Sequence, residues 1–202
     1  MMRRWQLALV AAALTLGAAR SARTQTLRDP ESRQGFYVSA GAGANTLSAW
    51  DKGRRDDTAA GLAYTLRFGE MLTDRWGLGL AIEGGSAARQ GITTQLAGLT
   101  LEAQARLWRH LAAHAGVGVG VAAAKDPSRI DDETHATYGS LLTAGLSYDA
   151  FVGRRLTGGW ALTPACELRA VPGGDVSAIA AVLTLGVSWW SGLPARELRE
   201  KR

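Results

Sequence analysis

The sequence predicts an all-β fold, a closed antiparallel transmembrane β-barrel of about eight up-and-down strands, and three observations carry this prediction. Apolar residues alternate with small or charged residues at a period of two through most of the chain, which is the spacing of a strand with one apolar face. The connections between the alternating segments are short at one end and longer at the other, as in barrels that cross a membrane. Aromatic residues gather at the short-turn end.

The alternation is clearest in the segment 60–86, which predicts a β-hairpin. Leu62, Leu66 and Phe68 fall on one face of the first strand, whereas Thr65 and Arg67 fall on the other. The sequence LTDR then supplies a short turn, and the alternation resumes after it. Because the rest of the chain repeats this unit, the repeat predicts the architecture of the whole domain.

Two further segments precede the barrel and one follows it. The chain divides into a signal peptide at 1–19, a polar leader at 20–34, the β-barrel at 35–190 and a charged C-terminal tail at 191–202. The signal peptide is predicted from Arg3 and Arg4, an apolar run at 7–16 and small residues before a cleavage after Ala19. The run is shorter than the roughly 20 residues of a membrane-spanning helix. The leader lacks an apolar face, so we expect it to be solvated.

Eight strands follow from the alternation. They are predicted at 36–46, 59–70, 75–87, 95–108, 111–124, 137–151, 160–171 and 177–190. The predicted short turns are 71–74, 109–110 and 152–159, and the longer connections are 47–58, 88–94, 125–136 and 172–176. In transmembrane barrels the short turns face the periplasm and the longer loops face outward.

Aromatic residues mark the short-turn end of these strands, where a membrane surface would lie. An amphipathic ring is stable at a membrane–water boundary, so aromatic residues at one height predict an interfacial girdle. The predicted girdle consists of Phe36, Phe68, Trp76, Trp108, Phe151, Trp160, Trp189 and Trp190.

Charged residues within the strands avoid the apolar face. The predicted lipid face contains Leu99, Leu101, Ala103, Ala105, Leu107, Val117, Val119, Val121, Leu142, Leu146, Tyr148, Leu183, Leu185 and Val187. The opposite face is predicted to hold a lumen ion-pair network of Arg67, Glu83, Glu102, Arg106, Asp149, Glu167 and Arg169, together with His114. An eight-stranded barrel has an interior that side chains can fill, so these charges predict a cross-linked lumen. Pro164 lies within a strand and predicts a bulge, and Cys166 has the lipid-facing parity.

Composition excludes several functional classes. The formal net charge of +5 comes largely from the terminal segments, so the predicted barrel lacks the clustered basic patch of a nucleic-acid-binding surface. A single cysteine excludes an internal disulfide framework and a thiolate zinc site. The acidic segment 125–140 lacks the spacing of a calcium loop. No catalytic residue, metal site or cofactor is predicted.

With these features in place, the segment 35–190 resembles the small eight-stranded outer-membrane barrels of bacteria, of the OmpA/OmpX type. The resemblance rests on the pattern of signal, hairpins, girdle and inward charges, and on a final strand, AVLTLGVSWW, that ends on aromatic residues. Such terminal strands are read by the outer-membrane assembly machinery in that family. The resemblance therefore implies an outer-membrane location, with outer-membrane lipids and the assembly machinery as partners and a monomeric state.

The first functional expectation is a non-enzymatic barrel with a structural role in the envelope or a surface-contact role through its external loops. A small pore and a lipid-modifying enzyme that uses His114 or His135 form a second expectation. A soluble exported barrel that encloses a ligand is a third, because alternation shows two faces without showing which one is wet.

Overall fold

The fold is described from a computed structural model of the chain. It describes residues 33–51, 54–55, 58–89, 91–125, 134–152, 158–173 and 176–192. The predicted signal peptide, nearly all of the leader and the tail beyond residue 192 lie outside the described residues.

Ten β-segments make up this part of the chain. They are β1 (Gly35–Asp51), β2 (Arg54–Arg55), β3 (Ala59–Met71), β4 (Trp76–Arg89), β5 (Ile92–Trp108), β6 (Leu111–Lys125), β7 (Thr134–Tyr148), β8 (Ala150–Val152), β9 (Gly159–Val171) and β10 (Val176–Trp190). The two-residue β2 pairs with β1 and is not one of the strands that form the wall of the barrel. The segments β7 and β8 together form one barrel strand, which is interrupted at Asp149. The barrel therefore has eight strands, as predicted.

Pairing of the first and last strands closes the sheet. Neighbouring strands are antiparallel, and β10 pairs with both β9 and β1. Following paired residues around the barrel from Val38 leads back to β1 at Ser48, a stagger of 10 residues along the strand. A closed sheet requires such a stagger because its strands tilt against the barrel axis. Closure leaves the long strands without an exposed edge, which confirms the predicted closed barrel.

The strands extend further at one end of the barrel than the alternation predicts. We call this end, where β1 runs on to Asp51 beyond the predicted limit at residue 46, the loop end. There β4 reaches Arg89 and β5 begins at Ile92, so strand replaces most of the predicted connection at 88–94. These residues still have ladder partners on adjacent strands, such as Asp51 opposite Val176. The opposite end, where β3 meets β4 and β5 meets β6, is the turn end.

The predicted bulge at Pro164 is wrong. The register is unchanged on either side of it, with Ser147 opposite Ala165 and Ala150 opposite Leu162. Proline has no N–H group to donate, so the ladder is interrupted there without an added residue. A register shift occurs instead between Arg106 and Trp108, beside the β5–β6 turn.

Candidate functional site

The centre of the lumen holds a desolvated cluster of charges around Arg67. Its guanidinium reaches carboxylates of three other strands: Glu102 at 2.9 Å from Nε, and Glu167 at 2.7 Å and Glu83 at 3.3 Å from Nη2. Period-two alternation brings these four side chains to the inner face, and the barrel's curvature brings them together. One arginine therefore connects β3, β4, β5 and β9.

Arg169 forms the second half of the cluster. Its Nη2 lies 2.8 Å from Glu167 and donates to the Thr65 hydroxyl at 2.6 Å, and its Nε lies 3.4 Å from Glu83. Its Nη1 donates to the carbonyls of Tyr64 and Gly84. Glu83 and Glu167 thus bridge the two arginines. Partnered charges of this kind tolerate burial, because each guanidinium has charged or carbonyl acceptors.

His114 lies at the border of this cluster. Its Nε2 is 3.4 Å from Arg67 Nη2 and 3.8 Å from a Glu167 oxygen, and the residue is only 7% exposed. The imidazole is therefore enclosed by the lumen, away from the lipid face. The arrangement suits cross-bracing of the barrel walls.

The turn end of the lumen is closed by a residue that sequence reasoning missed. Arg33, in the predicted solvated leader, is 1% exposed. Its Nη1 lies 3.0 Å from the Asp149 carboxylate, and its Nη2 donates to the Arg109 carbonyl at 2.7 Å. The guanidinium also lies 4.6 Å from the ring centre of Phe151 and 5.8 Å from that of Trp190. The expectation of a solvated leader is wrong at this residue, because the inward carboxylate of Asp149 requires a partner.

Two predicted girdle residues belong to this closure instead. Phe151 and Trp190 are each 3% exposed and lie inside the barrel, where Trp190 stacks on Tyr37 at 4.9 Å between ring centres. The correction follows from parity: Phe151 shares the parity of inward Asp149, and Trp190 has the parity opposite to outward Val187. The other predicted girdle residues are at least partly exposed, and they are Phe36, Phe68, Trp76, Trp108, Trp160 and Trp189.

Hydroxyl groups fill the space between the closure and the charge cluster. Thr163 donates to Asp149 at 3.0 Å and lies 2.6 Å from the Ser188 hydroxyl, which in turn lies 3.0 Å from Ser39. A cavity of about 20 Å³ remains beside them. That volume holds about one water molecule.

The loop end of the lumen is filled by apolar side chains. They form one buried cluster of Leu47, Ala59, Ala63, Ala87, Leu96, Ala122, Leu141, Val171, Ala178, Ala180 and Val182. The lumen thus has three successive layers: apolar at the loop end, charged at the centre, and aromatic with Arg33 at the turn end. Across the part of the chain that the structure describes, buried side chains occupy all three layers.

The seven residues of the predicted lumen network do not form one cluster in the structure. Arg67, Glu83, Glu102, Glu167 and Arg169 lie in the central cluster, whereas Asp149 pairs with Arg33. Arg106 is the exception.

Arg106 is half-buried at the turn end, and within the described part of the chain its guanidinium has no ion pair. Inclusion of Arg106 in the network is therefore wrong. The register shift beside it and its position near the end of β5 place it at the rim of the barrel rather than at the centre.

The outer face of the barrel is predominantly apolar. Leu101, Val119 and Leu185 are 56%, 69% and 63% exposed, and the other predicted lipid-face residues point outward with them. Cys166 lies on the same face. An exposed apolar band of this extent requires an apolar surrounding. Among the described residues, no helix is long and apolar enough to cross a membrane.

The remaining histidines and acidic residues do not form a catalytic or metal-binding group within the described residues. His110 lies in the β5–β6 turn with its Nδ1 2.8 Å from the Asp149 carbonyl. The side chain of His135 and the acidic residues at 131–133 lie outside the described set. Within the described ranges, no group of three or more histidine, cysteine, aspartate or glutamate side chains is placed to hold a metal ion.

Comparison with known proteins identifies the fold. No protein-family model matches the chain, and no curated protein matches its sequence. Ail, the attachment invasion locus protein of Yersinia pestis, is similar in structure with a TM-score of 0.54 and 15% sequence identity, covering 77% of this chain and 98% of Ail. Neisserial surface protein A matches with a TM-score of 0.49 and 14% identity over 77% of this chain and 96% of its own. The likeness to Ail confirms the predicted resemblance: the chain has the fold of the eight-stranded outer-membrane barrels.

Proposed function

We propose that the chain is a non-enzymatic barrel of the bacterial outer membrane that contributes to envelope structure or surface contact through its external loops. The observation that carries the proposal is the filled lumen, since buried side chains occupy the described interior in all three of its layers. A barrel filled in this way acts as a scaffold, and its chemistry is left to the loops. The foremost of those loops in the sequence prediction are 47–58 and 125–136, which include residues 52–57 and 126–133.

The exterior supports the membrane location. Leu101 and Val119 face outward, and exposed Trp76, Trp108 and Trp160 lie at the turn end of their strands. Tryptophan at one end of an apolar band is typical of a membrane boundary. The same orientation argues against a soluble barrel with a ligand in its lumen, because that barrel would bury its apolar face.

Two partners and a monomeric state follow from this proposal. Outer-membrane lipids contact the apolar band, and the assembly machinery inserts the barrel by way of its last strand, which ends on Trp189 and Trp190. The barrel acts as a monomer, since closure satisfies the strand edges without a second copy.

A heat-modifiability gel tests the fold and location first. Purified outer-membrane fractions are washed with carbonate and run with and without boiling. We expect retention in the membrane and a mobility shift on boiling. Recovery in the soluble periplasmic fraction without a shift overturns the proposal in favour of the ligand-binding barrel.

Conductance and lipid analysis then distinguish a filled scaffold from a pore and from a lipid-modifying enzyme. Folded protein in a planar bilayer is expected to carry no steady current, and cells that express it are expected to keep their lipid profile. A steady current supports a pore instead. A changed lipid profile that depends on His114 or His135 supports an enzyme.

Loop replacement separates a structural role from a surface role. A strain that lacks the chain is complemented with the wild type or with a variant whose residues 52–57 and 126–133 are replaced by glycine and serine. Detergent resistance restored by both proteins indicates an envelope-structural role. Cell–cell aggregation restored by the wild type alone indicates surface contact, and failure of the wild type to restore either overturns both.

A further inference from the structure

Arg106 lies at the turn-end rim of the barrel, and its guanidinium makes no ion pair within the described residues. Its backbone N–H donates to the Arg75 carbonyl at 2.8 Å, so the backbones of the two arginines are neighbours, Arg75 in the β3–β4 turn and Arg106 near the end of β5. Within the described residues, neither guanidinium makes a hydrogen bond or an ion pair. The register shift between Arg106 and Trp108 alters the direction of the strand at this point. Such irregularities commonly re-aim a side chain.

Arg109 supplies a third arginine three residues after Arg106, in the β5–β6 turn, whose backbone is bonded to the barrel interior. Its carbonyl accepts the bond from Arg33 Nη2 at 2.7 Å, and the following His110 accepts the Asp149 N–H at its carbonyl, at 2.8 Å. The Arg109 side chain itself is exposed. The backbone that carries this arginine is therefore fixed by contacts to the barrel interior.

The turn that carries Arg75 is fixed as well. The Thr73 hydroxyl accepts the Arg75 N–H at 3.2 Å and the Trp76 N–H at 2.9 Å, and the Thr73 N–H donates to the Trp76 carbonyl at 3.1 Å. Three arginines are thus presented from a preorganised backbone. Preorganisation lowers the entropy that binding has to overcome.

The residues next to Arg75 and Arg106 in sequence expose aromatic and aliphatic side chains on the outer face. Trp76 and Trp108 are 59% and 73% exposed, and Leu107 is 59% exposed between the Arg106 and Trp108 positions. Cationic groups beside amphipathic rings and an aliphatic surface match the two parts of a lipid, a charged headgroup and an acyl chain.

The charges near this rim favour an anion. Two carboxylates lie on its β3–β4 side: exposed Glu70, and half-buried Asp74, which makes a contact of its own. On the β5–β6 side two carboxylates lie inside the lumen and are paired there, Glu102 with Arg67 and Asp149 with Arg33. The arginines thus outnumber the nearby acids, most clearly toward β6.

We propose that Arg75, Arg106 and Arg109 bind the phosphate of an anionic phospholipid headgroup, with its acyl chains along Leu107 and Trp108. Arginine suits this ligand because its planar fork binds phosphate oxygens in pairs. The proposal rests on the membrane placement under Proposed function, which puts the turn end at the periplasmic leaflet.

Lipid retention in native mass spectrometry tests the site. The full folded chain is released from mixed micelles that contain equal amounts of phosphatidylglycerol and phosphatidylcholine. We expect the wild type to retain phosphatidylglycerol and the double variant Arg75→Gln/Arg106→Gln to retain roughly tenfold less. The matched control is Arg89→Gln, a half-buried arginine at the loop end, which should behave as the wild type does.

Three results overturn the site: equal retention by the double variant, equal loss in the control, or displacement of the lipid by millimolar inorganic phosphate, which would show a free-anion site. The single variants Arg106→Gln and Arg109→Gln keep the test valid if the double variant fails to fold. The heat-modifiability gel judges membrane placement independently, so a folded, membrane-retained barrel without lipid preference overturns the site alone.

Discussion

The Arg33 guanidinium lies 3.0 Å from the Asp149 carboxylate inside the turn end of the barrel, although 116 positions separate the two residues along the chain. The side chains are 1% and 2% exposed. This pair ties the segment before β1 to the break between β7 and β8 at Asp149. It seals the lumen next to the stacked rings of Tyr37 and Trp190.

Breaking this pair from one side is expected to destabilise the barrel. Arg33→Met leaves a buried carboxylate without its guanidinium, and Asp149→Asn leaves a buried guanidinium without its carboxylate. Each single change should lower the free energy of unfolding by about 3–5 kcal/mol. The double variant should be closer to the wild type, because it leaves no unpaired charge. Urea unfolding in lipid vesicles measures the free energy of unfolding of the wild type and the three variants. If the loss in the double variant equals the sum of the two single losses, the pairing is contradicted.

Within the central cluster, the two carboxylates nearest Arg67 should differ in their contribution to stability. Glu167 bonds to both arginines, at 2.7 Å and 2.8 Å. Glu102 contacts Arg67 alone, and its Oε1 makes no hydrogen bond within the described residues. Glu167→Gln should therefore cost about 3–5 kcal/mol of unfolding free energy, and Glu102→Gln about 1–3 kcal/mol. Urea unfolding of the two variants measures these costs. If Glu102→Gln costs as much as Glu167→Gln or more, Glu167 does not bridge the cluster.

The face of each strand residue is predictable because alternation is a local property. Arg67, Glu83 and Glu167 point inward as their parity requires. Phe151 and Trp190 fall in the predicted girdle because aromatic residues at strand ends favour a membrane boundary, whereas their parity places them inside. Where these two rules conflict, backbone geometry decides.

The contacts that depend on closure are not predictable from periodicity. Arg33 lies outside any alternating segment, and nothing in its neighbours indicates that it enters the lumen. The inward carboxylate of Asp149 is the available signal, since a buried charge requires a partner. The displacement of Arg106 depends on an irregularity of register, which the spacing of apolar residues does not reveal.

Glycine at position 118 is required by the close approach of two strands. A Cβ atom at this position would clash with the Leu99 carbonyl oxygen and with the Thr100 Cα on β5. At Gly41 the nearest atom would lie at 3.4 Å, an ordinary contact. Gly118→Ala should therefore destabilise the barrel by about 1–3 kcal/mol, whereas Gly41→Ala should be close to neutral. Folding yield on the heat-modifiability gel and urea unfolding measure both, and equal behaviour would show that the strands can separate at no cost.

Arginine substitution on the outer face tests which surface meets lipid. Val119 is 69% exposed near the middle of β6, and Leu107 is 59% exposed next to the end of β5 at the turn end. A charge at the bilayer midplane cannot reach water, whereas one at the boundary can extend into the headgroup region. In lipid vesicles, Val119→Arg should cost about 2–4 kcal/mol of unfolding free energy and Leu107→Arg about 0–1 kcal/mol.

The comparison depends on depth, so a general effect of added charge cannot reproduce it. Ser140→Arg on the neighbouring strand β7 serves as a third position, because Ser140 is exposed and lies directly opposite Val119. Its cost should match that of Val119→Arg if both lie within the hydrocarbon region. Two costs near zero would place this face in water and leave the apolar band to a soluble partner. A high cost at Leu107 as well would shift the bilayer toward the turn end, past the level of the exposed tryptophans.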